Sequence, residues 1–285
     1  MGLRINQNIA AMNSYRNLSV TDGQMSKSLE KLSSGFRINR AADDAAGLSI
    51  SEGLRSQIGG LKVAARNAQD GVNVAQTADG ALNETTAILQ RMRDLAVQAS
   101  NDGSQDADAK AASQQEFSQL NSELDRIAGN TKFGQQSLLG GSYAGNFQVG
   151  SDASSGSQIT LDLSSGNSTL FGSSSASGFD STGLGTGSLD LTTGASSAIT
   201  TLDDAIKGVS AARSYIGASQ NRFEHTINNI NVAVENLSAS ESAIRDTDMA
   251  SEMVSFTRSQ ILSQAGTSML AQANSASQNV LKLLQ

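Results

Sequence analysis

Two long stretches of this chain carry an apolar residue at every seventh position. The first stretch contains Leu54, Leu61, Ala68, Ala75, Leu82, Leu89 and Ala96. The second contains Leu202, Val209, Ile216, Phe223, Ile230, Leu237 and Ile244. A repeat of this length is typical of a helix that packs along another helix. We therefore predict long helices over about 45–100 and 198–244, which pair in a coiled-coil-like bundle.

The same spacing recurs near both ends of the chain, but there it has no evident partner. The N-terminal stretch, 3–32, repeats Ala11, Leu18, Met25 and Leu32, with Tyr15 and Leu29 on the next row. The C-terminal stretch has 23 uncharged residues between Arg258 and Lys282, and it repeats Leu262, Met269, Ala276 and Leu283, with Val280 beside them. Ser, Gln and Asn interrupt its apolar runs, which argues against a membrane span.

A lone surface helix normally carries charges on its wet face, and the C-terminal stretch has none. An ordinary amphipathic terminal helix remains the alternative. A face without charges can instead be enclosed by neighbouring chains without burying an ion. The residues alone leave both interpretations open, and either one makes the terminal helices candidates for contact with other helices. The candidate self-association residues are Tyr15, Leu18, Met25, Leu29, Leu262, Met269, Ala276, Val280 and Leu283.

The middle of the chain has a different character. A shorter helix is predicted over 105–129, and the stretches 147–149 and 159–163 have the alternation of short strands. Gly and Ser supply 24 of the 48 residues from 150 to 197. So few apolar residues predict a loose, solvent-facing segment rather than a core. The expected fold is mainly α, with a small β-hairpin region in the middle.

The predicted elements suggest three domains. Residues 1–45 and 245–285 form a terminal-helix domain, 46–140 and 200–244 a helical bundle domain, and 141–199 a short outer segment. The net charge of −7 argues against a nucleic-acid partner. The absence of Pro suits long helices, because Pro breaks helix interiors.

Two features invite a catalytic or metal-site interpretation. Asp43 and Asp44 are adjacent carboxylates, but such pairs are more often found at helix starts or turns. His225 is the only histidine and there is no cysteine, so a triad or zinc site lacks partners. No phosphate-binding glycine motif occurs either. We predict no catalytic residue, no cofactor and no metal.

The chain resembles the bacterial flagellins along both ends. The resemblance rests on long ordered blocks: LSSGFRINRAADDAAGLSIS (32–51), ARNAQDGVNVAQTADGALNET (65–85), LQRMRDLAVQAS (89–100), ELDRIAGNTKFG (123–134), RDTDMASEM (245–253) and QAGTSMLAQANSASQNVLKLL (264–284). The middle, 141–200, carries little of it and is short for the family. Gly134 stands where family members usually carry Asn after the Phe, so we expect a local difference in that turn.

The resemblance implies a subunit that polymerises with copies of itself into the flagellar filament for motility, its terminal helices folding on assembly. It also implies a flagellar export chaperone, a filament cap and hook-junction proteins as partners. The start MGLRINQNIAAMNSY lacks the pattern of a cleaved secretory signal, so we expect the flagellar type III channel to deliver it outside the cell. The alternative is a hook–filament junction or other filament-associated protein.

The resemblance further implies a candidate contact with the vertebrate Toll-like receptor for flagellin. Arg91, Leu95 and Glu116 occupy the contact positions of similar flagellins, although Met92 and Asp94 are substitutions within that block. The alternative is that Arg91 and Glu116 are ordinary surface charges and that Leu95 contacts another subunit.

Overall fold

The computed structural model describes residues 8–101, 103, 105–164 and 178–282, except for the side chains of Ser155 and 276–282. Its contacts divide the chain into two compact units. Met1–Ser56 and Asn236–Gln285 form one, called here the terminal unit, and Gln57–Glu235 forms the central unit. The expected outer segment, 141–199, belongs to the central unit and is not a unit of its own.

The described helices fall close to the predicted stretches. They are α1 (Ile9–Ser34), α2 (Ala45–Ala99), α3 (Ala107–Asn130), α4 (Ala195–Arg245) and α5 (Met249–Lys282). The ends of α1 show how a side chain and a glycine cap a helix. Asn8 accepts a hydrogen bond from the Ala11 N–H at 3.0 Å at the start of α1, and Gly35, at φ 76°, closes its end. The mainly α fold predicted from the sequence is confirmed.

The core of the central unit is built on the seven-residue repeats of α2 and α4. From Ala68 to Ala96, and from Leu202 to Ile230, every repeat position is buried. A second buried row of small residues runs beside the α4 repeat: Ala198, Ala205, Ala212 and Ser219. Small side chains allow close approach of neighbouring helices, and the larger apolar side chains then fill the space along the seam.

Gly71 and Phe223 show how closely this core is packed. A Cβ on Gly71 would lie 2.7 Å from two carbon atoms of the Phe223 ring. The same ring meets Phe147 edge to face, with ring centroids 5.3 Å apart. Glycine at position 71 therefore makes room for an aromatic side chain that links α4 to the β-hairpin.

Two small antiparallel hairpins follow α3. The first pairs β1 (Lys132–Phe133) with β2 (Gln136–Ser137), and the second pairs β3 (Ala144–Gln148) with β4 (Gln158–Asp162). The second is the predicted hairpin; the first was not predicted, because two-residue strands leave no alternation in the sequence. Gly134, in the turn of the first hairpin, has φ 63°, which glycine adopts without strain and asparagine tolerates.

The prediction of a loose segment is wrong for residues 178–194. Phe179, Leu184 and Leu191 of this segment are buried in the core of the central unit. Thirteen residues of the predicted segment, 165–177, lie outside the described residues. A few well-spaced apolar side chains are therefore enough to dock a chain that is otherwise rich in glycine and serine.

Polar side chains of α3 hold this segment by its backbone. Gln114 accepts from the Leu191 N–H at 2.8 Å and donates to the Leu189 carbonyl at 3.3 Å. Asn121 donates to the Thr186 carbonyl at 3.1 Å, and Asp125 accepts from the Ser181 N–H at 2.8 Å. These bonds satisfy backbone groups that would otherwise need a strand partner.

Candidate self-association surface

Helices α1 and α5 pack against each other within the terminal unit. The expectation that both terminal helices lack a partner in the chain is therefore wrong. The shielded rows of α1 are Ala11, Leu18, Met25 and Leu32, beside Ser14, Thr21 and Ser28. The shielded rows of α5 are Phe256, Ser263 and Leu270, beside Ser259, Gly266 and Ala273. Half of the α5 positions are Ser or Gly, so the pattern of apolar residues alone did not reveal the face of α5 that meets α1.

Contacts along the pair show that the two helices run antiparallel. The Asn8 side chain donates to the Ala273 carbonyl at 3.0 Å, and Ser263 donates to Asp22 at 3.0 Å. At the other end Lys31 lies 3.9 Å from Glu252. Each step toward the C-terminus of α1 is thus a step toward the N-terminus of α5.

Large apolar side chains of both helices remain exposed on the surfaces that do not face the partner helix. On α1 they are Ile9, Met12, Tyr15, Val20 and Leu29. On α5 they are Met249, Met253, Val254, Ile261, Leu262 and Met269. Clusters of this kind mark binding surfaces, whereas single exposed apolar residues are ordinary.

Two shallow grooves gather part of this exposed apolar surface. One, called here the α1 groove, is lined by Ile9, Ala11, Met12, Asn13, Tyr15, Arg16 and Leu270. The other, called here the α5 groove, is lined by Met253, Val254, Thr257, Arg258, Ile261 and Leu262. Each groove combines an apolar floor with one arginine, which suits a mostly apolar partner surface.

The structure divides the described side chains among the predicted self-association residues into two groups. Tyr15, Leu29, Leu262 and Met269 are exposed and available to another chain. Leu18 and Met25 lie instead on the row of α1 that faces α5. The side chains of Ala276 and Val280, and all of Leu283, lie outside the described residues. Their role in self-association stays a prediction.

Sequence reasoning missed Met12, Val254 and Ile261, which line the two grooves. Val254 and Ile261 are seven residues apart, as a repeat requires, but the next position, Ser268, is polar. A repeat of two members is too short to stand out from chance. Only the position of α1 decides which flank of α5 is left exposed.

The α1–α2 connection and the α4–α5 connection are hydrogen-bonded to each other inside the terminal unit. The Arg37 N–H donates to the Arg245 carbonyl at 2.7 Å, and the Thr247 N–H donates to the Gly35 carbonyl at 3.0 Å. The Arg245 guanidinium lies 4.8 Å from the Phe36 ring centroid and 2.9 Å from Glu52. Cation–π contact and ion pair together fix the side chain that spans the two connections.

Asp44 caps the start of α2, and Asp43 closes the turn that precedes it. Asp43 accepts hydrogen bonds from the Arg40 and Asn39 N–H groups at 3.0 and 3.3 Å. The bond from Arg40 holds the pKa of Asp43 below its ordinary value. Asp44 accepts from the Gly47 N–H at 2.9 Å. Among the described residues, no cluster of three or more potential ligands could hold a metal ion.

The candidate receptor residues lie in the central unit and are not equally accessible. Arg91 and Glu116 are exposed and form an ion pair, with 2.7 Å between Nη2 and Oε1. Leu95 is only 2% exposed and belongs to the core, so its side chain does not reach a surface partner in this fold. That part of the prediction does not fit the structure.

A second ion pair joins α2 to α4 in the central unit. Arg93 Nε lies 2.6 Å from Asp203 Oδ1. The hydrogen bond from Arg93 lowers the pKa of Asp203, and the same bond raises the pKa of Arg93. Both groups therefore stay charged, and the pair helps to set which faces of the two helices meet.

The fold and the surface together define a mainly helical protein whose antiparallel terminal helices expose apolar surface. No described helix has the length and apolarity needed to cross a membrane. The family model for the bacterial flagellin N-terminal helical region matches residues 5–144, and that for the C-terminal helical region matches 199–284.

Flagellins are among the relatives that match at full length. The flagellin of Halalkalibacterium halodurans is 50% identical over 99% of this chain and 99% of its own length. The flagellin of Bacillus subtilis is 46% identical over 99% of this chain and 100% of its own. A crystal structure of Bacillus cereus flagellin covers 58% of this chain and 88% of that one, with 33% identity and a TM-score of 0.47. The chain belongs to the bacterial flagellin family. It is a structural subunit of the flagellar filament, which polymerises with copies of itself for motility.

Proposed function

We propose that the terminal unit is the part of the chain that polymerises, and that other subunits cover its α1 and α5 grooves. The observation that carries this proposal is the set of large apolar side chains that the α1–α5 pair leaves exposed. Apolar surface of this extent is unfavourable in water, and covering it with a second copy removes that cost. The N-terminal and C-terminal helices thus act as one surface.

The α1–α5 pair is only marginally stable in the free subunit. Its shielded rows contain Ser14, Thr21, Ser28, Ser259 and Ser263, which contribute little hydrophobic stabilisation. Isolated helices also need tertiary packing to be stable in water. The two helices therefore fray in solution and become fully ordered when neighbouring subunits cover them. The expectation that the terminal helices fold on assembly therefore becomes a proposal that the α1–α5 pair is partly formed in the free subunit and completes its folding in the filament.

Sedimentation, electron microscopy and circular dichroism of the purified chain test this function. The full chain should pellet as long filaments above a critical concentration and gain helix as it does so. A chain that ends at residue 244 should stay in the supernatant with its central unit folded. Filaments of normal length from the truncated chain, or equal helicity before and after assembly, would refute the role of the terminal unit.

The same experiment separates the filament subunit from the alternative of a junction or filament-associated protein. A junction protein would add to existing filaments without forming long ones alone. The full-length matches to flagellins favour the filament subunit. Its biological role then rests on assembly and not on catalysis.

Export and assembly require further partners. We propose that an export chaperone binds the chain and that the chain leaves the cell through the flagellar type III channel without a cleaved signal peptide. Outside the cell it would bind the filament cap and the hook-junction proteins. N-terminal sequencing of protein from sheared filaments should give a sequence that begins at or next to the first residue of the chain.

A vertebrate Toll-like receptor for flagellin is a further proposed partner of the free subunit. Arg91 and Glu116 offer it an exposed pair of opposite charges. Arg91→Ala should weaken signalling in a receptor reporter assay, with Arg55→Ala, another exposed arginine of α2, as the control. Leu95→Ala should act through loss of core packing and lower the melting temperature as well. Equal potency of Arg91→Ala and Arg55→Ala would leave Arg91 as an ordinary surface charge.

A further inference from the structure

The sulfur atoms of this chain are concentrated on its exposed terminal helices. The chain has seven methionines and no cysteine. Six of them are described, and four of the six are exposed: Met12 by 66%, Met249 by 48%, Met253 by 50% and Met269 by 63%. All four lie on α1 or α5. Met92, in the core of the central unit, is fully buried.

We propose that these four methionines are sites of reversible sulfoxidation, and that their oxidation blocks self-association of the subunit. The inference rests on the proposed role of the terminal unit in polymerisation. The oxidant is hydrogen peroxide, which donates one oxygen atom.

The reaction is an oxygen transfer to the thioether. A sulfur lone pair attacks one peroxide oxygen, the O–O bond breaks and an S–O bond forms. Sulfur loses two electrons, the peroxide gains them, and the second oxygen leaves as water with both peroxide hydrogens. The thioether has no proton to lose, so access of the peroxide to sulfur decides which methionines react.

The positions of the sulfur atoms explain why the modification affects association. Met12 lines the α1 groove and Met253 lines the α5 groove. Sulfoxidation replaces a flexible apolar side chain by a polar one. When another subunit covers the groove, the sulfoxide oxygen exchanges water for a mostly apolar surface, which is unfavourable.

Oxidation changes the stability of the free subunit far less than it changes the ability of that subunit to assemble. The four side chains are exposed, so their sulfoxides stay hydrated, and the core of the central unit contains none of them. In a filament the same sulfur atoms are covered and protected from peroxide. Oxidation therefore acts on subunits before assembly. With no cysteine or tryptophan in the chain, peroxide has no more reactive side chain to attack first.

Mild treatment of the purified full-length chain with hydrogen peroxide tests the proposal. Peptide mass mapping should show one added oxygen at each of the four methionines and none at Met92. The critical concentration for pelleting should rise at least about tenfold, equivalent to ~1.4 kcal/mol per subunit. The melting temperature of the central unit should not change. Assembly of the fully oxidised chain at the concentration of the untreated chain would overturn the proposal.

Two variants and one reversal complete the test. The variant with all four methionines changed to Leu, compared with itself before and after peroxide, should keep its critical concentration. Met92→Leu should remain as sensitive to peroxide as the parent. Reduction of the oxidised parent by methionine sulfoxide reductases A and B should restore assembly, because the two enzymes act on opposite sulfoxide epimers.

The outcomes distinguish this inference from the function on which it rests. An untreated parent that never pellets contradicts the polymerisation role itself, and the inference with it. A parent that pellets normally before and after oxidation contradicts only the inference. If the variant with four leucines does not assemble, the reductase experiment decides: recovery of the oxidised parent supports the proposal, and lack of recovery overturns it.

Discussion

Replacing Gly71 by alanine probes how tightly α2 packs on α4 in the central unit. The new Cβ would lie 2.7 Å from two carbon atoms of the Phe223 ring. Ordinary contact between carbon atoms is about 3.5–4.0 Å, so the ring must retreat by roughly 1 Å. Phe223 is fully buried and its ring packs against Phe147, so its movement disturbs a second aromatic side chain.

Two opposing contributions set the size of the effect. Alanine in place of glycine in a helix interior stabilises by ~1 kcal/mol. Over-packing of a well-packed core costs ~1–3 kcal/mol. Gly80 is an exposed glycine of the same helix, and a Cβ there meets nothing within 4 Å. Gly80→Ala should therefore show the stabilising contribution alone, and the two variants should differ by ~1–3 kcal/mol.

Thermal unfolding of the unassembled chain, followed by circular dichroism, measures this difference. For a unit of this size 1 kcal/mol shifts the melting temperature by roughly 2–4 °C. Gly80→Ala should melt above the parent and Gly71→Ala at or below it. In a Phe223→Leu background, which removes the ring, Gly71→Ala should become stabilising. If Gly71→Ala stabilises the parent as much as Gly80→Ala does, the close approach of ring and backbone is wrong.

Three further predictions concern the grooves, the docked segment and the ion pair. Ile261→Asp should leave the melting temperature of the free subunit unchanged. In a pelleting assay its critical concentration should be well above that of Ile261→Leu, because a second copy would bury the charge. Equal critical concentrations for the two variants would show that Ile261 is not in the interface. Leu191→Ala should destabilise the central unit by ~2–5 kcal/mol in denaturant unfolding, since Leu191 is fully buried; an effect within ~0.5 kcal/mol would mean that the segment is not docked in solution. The pKa of Asp203 is lowered from 3.8 by its bond to Arg93, so its stabilising contribution is present above about pH 3.8 and is lost as the pH falls below that value. Asp203→Asn should therefore melt below the parent at pH 6 and approach it in acid, and a constant difference at both pH values would contradict this origin.

The repeats of α2 and α4 contain enough information to predict both helices and their buried faces. A helical period places Leu82, Leu89, Val209 and Ile216 on single faces, and large apolar side chains on one face have few favourable positions outside a core. The helix boundaries follow from local chemistry as well, because Asn8 and Gly35 satisfy backbone groups within their own segment. These features depend on near neighbours in the chain, which the sequence displays directly.

The docking of residues 178–194 is different, because it depends on α3. Leu184 lies between glycines, and Leu191 has only Leu189 as an apolar neighbour close in the chain, so no periodic pattern indicates a core. Their burial is made possible by Gln114, Asn121 and Asp125, which bind the backbone of a segment distant in sequence. Such side-chain-to-backbone bonds leave no periodic pattern for sequence analysis to detect.

The terminal helices show the same division. The sequence by itself determined that α1 and α5 are helices with apolar faces and that the C-terminal stretch avoids charge. Only the tertiary structure decided that they pair through Ser263, Gly266 and Leu270, which leaves Leu262 and Met269 exposed. The physical reason is that small residues such as Gly266 let two helices approach closely, whereas the apolar repeat shows only that a face requires a partner, and not which partner covers it.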